Sequence, residues 1–489
     1  MEHSTSETFE LNARRALQDP QLRGALRNLA NTFGERRKLA MATVDDWEGL
    51  RERARAIKEE TLAHLDKYLE AFAANAERAG AQIHWAHDAA EACQIVLRLL
   101  RERKATRVVK SKSMATEEIH LNAALEAKGL APIETDLGEW IIQLAQETPS
   151  HIVVPAIHKS KRQIAELFVE KLGIEPTDEV AVLTRAARRI LRQRFAEAQV
   201  GISGVNFGVA ETGTILILEN EGNVRLTTSL PKTHIALMGI EKVIPNFVDL
   251  DVFLKLLPRS GTGQRLTAYQ SLITGTKRRP RCEGPEEVHI VLMDNGRSRM
   301  LGHPLTRQSL ACIRCGACLN ACPVYQQIGG HAYGSVYPGP IGAVITPQLI
   351  GIGKAAQLPY ASSLCGACRE VCPVKIDIPE LLLHLRAEIV QGTASGTADQ
   401  KGPVKRKFTE HLAFRLYTFA WSSPVLYEWS MRIARQLQRP AVRNGRIGKV
   451  SGLLARLVPP LGAWTAWRDA PPIAAHTFRE QWREQHPGQ

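Results

Sequence analysis

The sequence of 489 residues lacks several segments that would have assigned it to a common class. It contains no run of about 18 apolar residues, so no stretch is predicted to span a membrane as a helix. The N-terminal stretch, MEHSTSETFELNARR, is polar and holds no apolar core of a signal peptide, so export is not expected. No G-x-G-x-x-G opens a βαβ unit, and no G-x-x-x-x-G-K-[ST] occurs, so neither a dinucleotide site nor a nucleoside-triphosphate site is predicted.

Acidic residues are scarce in the last part of the chain. The net charge of the whole sequence is +13, and residues 401–489 carry 15 Lys and Arg against 5 Asp and Glu. The same region holds five of the eight tryptophans: Trp421, Trp429, Trp464, Trp467 and Trp482. Such a region favours a protein partner first, a membrane surface second and nucleic acid third, since no nucleic-acid module is recognisable. A merely solvated basic face is the alternative.

Cysteine is scarce outside one stretch, since seven of the nine cysteines lie between residues 312 and 372. The first run is Cys312-Ile-Arg-Cys315-Gly-Ala-Cys318-Leu-Asn-Ala-Cys322-Pro323, and the second is Cys365-Gly-Ala-Cys368-Arg-Glu-Val-Cys372-Pro373. These spacings are typical of two-cluster ferredoxins, in which the last Cys of such a run, followed by Pro, binds the other cluster.

This crossing rule predicts the ligands of two iron–sulfur clusters. Cluster one has four thiolates, those of Cys312, Cys315, Cys318 and Cys372. Cluster two has three, those of Cys322, Cys365 and Cys368. Ser362 stands three residues before Cys365, where a fourth ligand is expected. Cluster one is therefore predicted to be [4Fe–4S], and cluster two either [4Fe–4S] with a non-cysteine ligand or [3Fe–4S].

Two other uses of the cysteines fit the sequence less well. A set of disulfides is disfavoured because the number seven is odd and no signal peptide precedes the runs. A zinc site is disfavoured because zinc takes four ligands and has no use for two interlocked C-P runs. Reduced thiols and labile clusters favour a cytoplasmic location.

The length predicts more than one domain, and the patterns divide the chain into four regions. Residues 1–80 have helical periodicity. Residues 81–297 alternate short strands (83–85, 107–109, 133–135, 152–154, 214–218 and 234–238) with helices (88–103, 115–128, from 161, and 177–198), which predicts an α/β domain with a mostly parallel sheet. Residues 303–390 form the two-cluster module, in which a helix is predicted after Pro347. Residues 401–489 form the basic region.

Two loops of the α/β region follow strands, where ligands bind in such sheets. Lys110-Ser111-Lys112-Ser113 offers cationic and hydroxyl donors to an anion. Glu211-Thr212-Gly213-Thr214 contains a glycine that permits close backbone approach. Ordinary turns and helix caps are the alternative for both loops.

Several motifs together resemble a known family. Those in the α/β region resemble the LUD domain: Asp136-Leu-Gly-Glu139-Trp-Ile-Ile-Gln143, Glu211-Thr-Gly-Thr214, Leu230-Pro-Lys-Thr-His234 and Met293-Asp-Asn-Gly296. With the cysteine runs and the tail Trp464-Thr-Ala-Trp467-Arg-Asp469, roughly residues 10 to 485 resemble the LutB family. These are the iron–sulfur subunits of LutABC lactate-utilisation systems.

The resemblance implies a cytoplasmic complex with LutA-like and LutC-like subunits that oxidises L-lactate to pyruvate. It also implies an α/β LUD domain of the CoA-transferase and ribose-phosphate-isomerase-like superfamily, an α-helical ferredoxin module and a helical tail. It implies no catalytic residue. Two redox centres without a visible flavin motif favour an electron-transfer component over an enzyme. The alternatives are a hydroxy-acid dehydrogenase site in the LUD domain and a redox-sensing regulator.

Overall fold

The computed structural model describes residues 4–279, 282–391, 408–452, 459–466 and 468–487. The chain divides into two compact units, Met1–Val404 and Lys405–Gln489. None of the helices in the described ranges is long and apolar enough to cross a lipid bilayer.

The helices of the first unit begin with four that precede the first strand, as the periodicity of residues 1–80 predicts. Asp19 and Asp46 cap two of them, each accepting a hydrogen bond from the backbone N–H three residues later, at 2.9 and 2.7 Å. In chain order the helices are α1 (Phe9–Leu17), α2 (Pro20–Met41), α3 (Trp47–Ala63), α4 (Leu65–Arg78), α5 (Ala89–Glu102), α6 (Met114–Glu118), α7 (Leu121–Glu126), α8 (Leu137–Ala145), α9 (Lys161–Leu172), α10 (Val180–Glu197), α11 (Asn223–Ser229), α12 (Leu250–Gly261), α13 (Arg297–Gly302), α14 (Ala317–Ala321), α15 (Tyr325–Ile328), α16 (Gly339–Ile350), α17 (Ala367–Val371) and α18 (Ile378–Gln391).

The strands of this unit form two sheets. They are β1 (Ala81–Ala86), β2 (Val108–Lys110), β3 (Ile133–Glu134), β4 (Val200–Gly204), β5 (Phe207–Val209), β6 (Thr214–Glu219), β7 (Thr233–Gly239), β8 (Val243–Ile244), β9 (Tyr269–Ile273) and β10 (Glu287–Met293). The larger sheet has the order β1-β10-β7-β4-β2-β3, and all its pairings are parallel, with Ile290 of β10 opposite Ile83 and Ala236. Its buried, apolar central strands are typical of a sheet covered on both faces. The predicted α/β class is confirmed.

A second sheet of four strands, ordered β8-β5-β6-β9, was not predicted. Its pairings β5–β6 and β6–β9 are antiparallel, and only β5–β8 is parallel. The strand predicted at 214–218 is present as β6, but it belongs to this sheet. The sheet packs into a continuous apolar core that also contains Leu26 of α2, Trp47 of α3, Phe253 of α12 and the buried cluster-module residues Leu319 and Ile341.

Three local predictions were wrong. Residues 152–154 are not a strand, because the backbone N–H groups of Val153 and Val154 donate to Nδ1 of His151 at 2.9 and 3.1 Å and turn the chain. The helix predicted over 115–128 is divided into α6 and α7 by His120, whose φ is 52°. Pro347 does not precede a new helix, because it lies inside α16. That helix begins at Gly339 and has Pro340 in its first turn.

The second unit is mainly helical, as predicted for the tail. It contains α19 (Phe408–Trp421), α20 (Pro424–Gln438), β11 (Val442–Arg443), β12 (Arg446–Ile447), α21 (Pro459–Thr465) and α22 (Phe478–Gln485). Ion pairs of 2.8 Å join α20 to α22, between Arg435 and Glu480 and between Arg483 and Glu428. Trp421, Trp429, Trp464 and Trp482 are all exposed, and Trp467 lies outside the described residues.

Candidate iron–sulfur centres

The two cysteine runs fold in the same way. In each run a left-handed residue precedes the shared C-G-A-C motif, Arg314 with φ of 60° in the first and Leu364 with φ of 55° in the second. A left-handed glycine then starts a short helix, Gly316 before α14 and Gly366 before α17. Only glycine adopts this conformation without strain, which explains its place after the cysteine. Each helix ends at the last cysteine of its run, so each run presents its thiols around one tight loop.

Four thiols face one small, mostly apolar pocket in the interior. The cysteines that line it are Cys312, Cys315, Cys318 and Cys372. Burial raises the pKa of Cys315 to about 12, and the adjacent Cys312 and Cys372 add to the effect. Burial likewise raises the pKa of Cys372 to about 11, with a contribution from Cys312. Without a cationic centre these buried thiols therefore hold their protons, and a metal cluster has to displace them.

The other three cysteines of the runs form a second, more exposed group. Burial raises the pKa of Cys368 to about 12, with contributions from Cys322 and Cys365. Burial also raises the pKa of Cys322, and Cys365 adds to it. Cys365 itself is exposed, and its pKa is lowered by hydrogen bonds from the N–H of Ala367 and from the side chain of Ser363. This group thus reaches the surface at Cys365.

The number and grouping of the thiols distinguish clusters from a single metal ion. Four thiols line one pocket and three form a second group, whereas a structural zinc site takes four ligands. Runs of this spacing are typical of two-cluster ferredoxins. None of the nine cysteines forms a disulfide. The residues present therefore fit iron–sulfur clusters.

Ser362 has the same local role in the second run as Cys312 has in the first. The N–H of Arg314 donates to Sγ of Cys312 at 3.4 Å, and the N–H of Leu364 donates to Oγ of Ser362 at 3.1 Å. Both bonds join residues two apart. The Ser362 oxygen therefore stands where the first run has a thiol.

Three cations, Lys58, Lys242 and Arg314, interact with Cys312 of the four-cysteine group. Lys58 of α3 is buried and donates from Nζ to the carbonyl of Glu241 at 2.5 Å. Burial lowers the pKa of Lys58 and of Lys242 to about 8, while the nearby Cys312 raises both. Burial also disfavours the charge on Arg314, but Cys312, Tyr337 and Glu241 together outweigh it, and the pKa of Arg314 is raised. These cations stabilise the negative charge of thiolates in a region from which water is excluded.

Arg51 of α3 fixes the end of the second run. Its Nε and Nη2 atoms donate to the carbonyl of Cys372 at 3.1 and 2.8 Å, and Nη2 also donates to the carbonyl of Glu370 at 2.9 Å. Glu48 holds the remaining nitrogen, Nη1, at 2.5 Å. The guanidinium thus satisfies backbone acceptors at the C-terminus of α17, where carbonyls lack helical partners.

A buried ionic network joins the α/β region to the cluster module. Arg297 donates to both carboxylate oxygens of Glu118 at 2.9 and 2.8 Å and to Glu241 at 2.5 Å. The hydroxyl of Tyr337 donates to Glu118 at 2.6 Å, and its ring stacks under the guanidinium of Arg314. Sequence reasoning missed these residues, which are far apart in the chain. The nearest signal was the motif Met293-Asp-Asn-Gly296, which directly precedes Arg297.

Comparison with protein families matches nearly the whole chain in three parts. Residues 69–293 match the LUD domain, residues 308–376 match the 4Fe-4S dicluster domain, and residues 384–486 match the C-terminal domain of lactate utilisation protein B. The second match covers all seven cysteines of the runs, so the chain contains a ferredoxin-type iron–sulfur module.

Curated relatives decide the family. Lactate utilization protein B of Bacillus velezensis is 43% identical over 95% of this chain and 94% of its own length. The proteins of the same name from Macrococcus caseolyticus and Shouchella clausii are 43% and 44% identical, and each match covers at least 96% of both chains. The chain belongs to the lactate utilization protein B family. Among solved structures, a DUF162 family protein from Deinococcus radiodurans matches 47% of this chain and 98% of its own, at 12% identity and a TM-score of 0.27.

In this member of the family, the two loops singled out in the LUD domain have different surroundings. Lys110 is buried and paired with Glu134 at 2.7 Å and Glu117 at 2.9 Å, so it is not available to a ligand. Lys112 and Ser113, in contrast, line a cavity beside the cluster module. The loop 211–214 packs on α4, where Asn75 donates to the carbonyls of Ala210 and Glu211 at 2.7 and 3.1 Å. That loop holds a helix in place and does not line the cavity.

Proposed function

We propose that this chain is the iron–sulfur electron carrier of a cytoplasmic complex that oxidises L-lactate to pyruvate. Membership of the lactate utilization protein B family supports the pathway. The observation that carries the electron-transfer role is the arrangement of seven thiols in two adjacent groups, one buried and one reaching the surface. Each bound cluster would accept or release one electron at a time.

The proposed ligands follow the two groups of thiols. Cluster one, a [4Fe–4S] centre, would be held by Cys312, Cys315, Cys318 and Cys372. Cluster two, either [4Fe–4S] or [3Fe–4S], would be held by Cys322, Cys365 and Cys368, with Ser362 as its fourth ligand or close to it. The electrostatic influence of Cys312 on the first set and of Cys365 on the second supports this division.

The protein around the thiols excludes water and supplies positive charge. Backbone N–H groups donate to sulfur, as from Ile376 to Cys372 at 3.3 Å and from Tyr325 to Cys322 at 3.5 Å. Such donors and the buried cations stabilise added negative charge and so favour reduction. Exposure of Cys365 makes the second group the side from which a partner would exchange electrons.

The partners we propose are LutA-like and LutC-like subunits, docked through the C-terminal unit. That unit exposes large aromatic side chains beside basic residues, as where Arg468 stacks on Trp464. Aromatic and arginine side chains dominate the binding energy of many interfaces. The same surface suits a peripheral membrane contact. No single electron acceptor follows from these features.

The proposal is tested by removing one thiol of cluster one and one cysteine outside both runs. In anaerobically purified protein, Cys315→Ala should lose the electron paramagnetic resonance signal of cluster one and about half of the iron, because cluster one then lacks one of its four protein ligands. Cys282→Ala, at an exposed cysteine outside both runs, should keep both. Reduction of the clusters by L-lactate should require the partner subunits. Unchanged iron in Cys315→Ala, or full reduction by lactate without partners, would contradict the proposal.

A further inference from the structure

A cavity of about 290 Å³ lies between the parallel sheet and the cluster module. It is lined by residues at the carboxyl ends of four parallel strands: Lys112 after β2, Asp136 after β3, Gly204 at the end of β4, and Gly239 at the end of β7. Ligands of parallel α/β sheets bind outside this edge. This volume lies just below the range of about 300–1,000 Å³ that is usual for ligand pockets, so it suits a small metabolite.

The carboxylates around this cavity already have partners. Glu219 accepts hydrogen bonds from the N–H groups of Val224 and Arg225 at 2.7 and 2.8 Å. Glu221 accepts one from the N–H of Leu137 at 3.0 Å, and Asp136 caps the same helix, α8, through the N–H of Glu139 at 3.1 Å. These three carboxylates accept hydrogen bonds from backbone N–H groups at helix N-termini, so their roles are structural.

The cations around the cavity, in contrast, have nitrogen atoms without a hydrogen-bond acceptor among the described residues. Lys112 and Lys242 form no hydrogen bond or close ion pair with any residue in the described ranges. The Nη1 atom of Arg314 is buried and has no hydrogen-bond partner there, and its Nη2 atom lies 3.6 Å from Oε1 of Glu241, beyond hydrogen-bonding distance. A buried nitrogen of a cation is costly when it has no acceptor, and a bound anion would supply that acceptor to Arg314 while it pairs with the two lysines.

We propose that this cavity binds a small organic acid, whose carboxylate is held by Lys112, Lys242 and Arg314. A monoanion suits the site better than a dianionic phosphate, because Asp136, Glu219, Glu221 and Glu241 also line the wall and repel further negative charge. The inference goes beyond the proposed function, which needs only the clusters and their partners.

The position of the cavity connects it to cluster one. Arg314, Cys315 and Ile152 line both this cavity and the pocket of the four thiols, so they form a common wall. An anion on one side of that wall changes the electric field on the other side, where water cannot screen it. Binding is therefore expected to shift the magnetic resonance signal of cluster one.

The experiment titrates anaerobically purified full-length protein, with its clusters, with propionate, pyruvate and inorganic phosphate by calorimetry. We expect one carboxylate site per chain, and a shifted cluster-one signal when it is filled. Lys112→Gln and Lys242→Gln should each weaken carboxylate binding at least tenfold. Lys128→Gln, at an exposed lysine away from the cavity, is the matched control and should bind as the unmodified protein does. Iron content and circular dichroism show that each variant is folded.

Three outcomes would overturn the inference: no carboxylate binding, equal affinity in all three variants, or phosphate binding more tightly than both carboxylates. The last outcome would assign the cavity to a phosphate. None of them bears on the electron-carrier proposal, which depends on iron content and on reduction by lactate with the partners present.

Discussion

Ser362 and Ser363 stand side by side before Cys365, yet their hydrogen bonds differ. Ser362 accepts the N–H of Leu364, as Cys312 accepts that of Arg314, whereas Ser363 hydrogen bonds to the thiol of Cys365. A serine hydroxyl gives up its proton far less readily than a thiol, so the iron nearest Ser362 is expected to be held only by sulfides and water, less firmly than the others. We therefore expect cluster two to lose that iron in air and to convert from [4Fe–4S] to [3Fe–4S].

The substitution Ser362→Cys should supply a fourth thiolate to cluster two. We expect a lower reduction potential and slower conversion in air, measured by electron paramagnetic resonance and iron content during exposure to oxygen. Ser363→Cys is the comparison and should slow the conversion less than Ser362→Cys does, because Ser363 hydrogen bonds to Cys365 and does not occupy the position that Cys312 has in the first run. A four-iron cluster that is stable in air in the unmodified protein would show that the site already has a fourth ligand.

His151 makes the stability of the chain depend on pH. Burial lowers its pKa to about 4, and its ring pairs Nδ1 with the N–H groups of Val153 and Val154 and Nε2 with Asn320 of α14. Above the unfolded pKa of about 6.5 the ring is neutral in both states, and stability is complete. As the pH falls from 6.5 toward 4, only the unfolded chain gains the proton, so the free energy of unfolding decreases.

For the single titrating group of His151, the free energy of unfolding decreases by about 1.4 kcal/mol per pH unit, or about 2 kcal/mol between pH 6.5 and 5. Urea unfolding at pH 7 and pH 5 should therefore show a larger loss for the unmodified protein than for His151→Gln, by about that amount. Comparison of the two proteins removes the acid lability of the clusters, which they share. Equal losses would mean that His151 is protonated in the folded chain.

At the scale of elements, α3 binds the cluster module through one face. Arg51, Ala54, Ile57 and Lys58 are buried at helical spacing, while Arg53 and Arg55 of the same helix are exposed. The helix therefore carries both the cap of the second run and a cation near Cys312.

Replacing Arg51 with Met should leave the carbonyls of Cys372 and Glu370 buried without donors. Charge-assisted bonds of this kind contribute about 1.5–3 kcal/mol each, so we expect a loss of about 3 kcal/mol and faster release of iron to a chelator. Arg53→Met, on the exposed side of α3, should have little effect on either measurement. If Arg51→Met and Arg53→Met released iron to the chelator at the same rate, the role assigned to the Arg51 guanidinium would be contradicted.

The elements that sequence patterns predicted best are those whose signal is local. The strands at 83–85 and 234–238 and the helices from 88 and 161 have apolar residues at the right period and recognisable caps, as in Asp88, which accepts the N–H of Glu91. The apolar run 152–154 was misread because its burial comes from contact with the cluster module. The short strands β5, β8 and β9 gave too little periodicity to be recognised.

In the candidate site, too, only the residues with a local sequence signal could be predicted. The C-x2-C spacings bring thiols together along one stretch of chain and can be recognised without the fold. The cations Arg51, Lys58 and Lys242 gave no such signal, since only tertiary packing brings them to the cysteines. The same holds for Glu118 and Arg297, whose pairing spans 179 residues.

At the scale of the whole molecule, the basic C-terminal unit is a separate compact body with exposed aromatic residues. Deleting residues 401–489 should leave the iron content unchanged, because no cysteine lies in that region, but should abolish co-purification with LutA-like and LutC-like subunits. Trp429→Ala and Trp464→Ala should weaken co-purification, whereas Trp85→Ala, at an exposed tryptophan of β1, should not. Normal recovery of the partners with the truncated chain would exclude docking through this unit.

The contact of Arg51 with Cys372 also sets an order of events during synthesis. The two residues are 321 positions apart, so at about 5–20 residues per second the ribosome needs roughly 16 to 64 s to make the second after the first. For most of that interval α3 has been made, but the cysteines that Arg51 and Lys58 interact with have not. Likewise, neither cluster has a complete set of thiolates until the second cysteine run has been made. The ligand set of cluster one is therefore complete only after Cys372 has been made, when about three quarters of the chain exists, and until then α3 lacks the carbonyls that Arg51 binds.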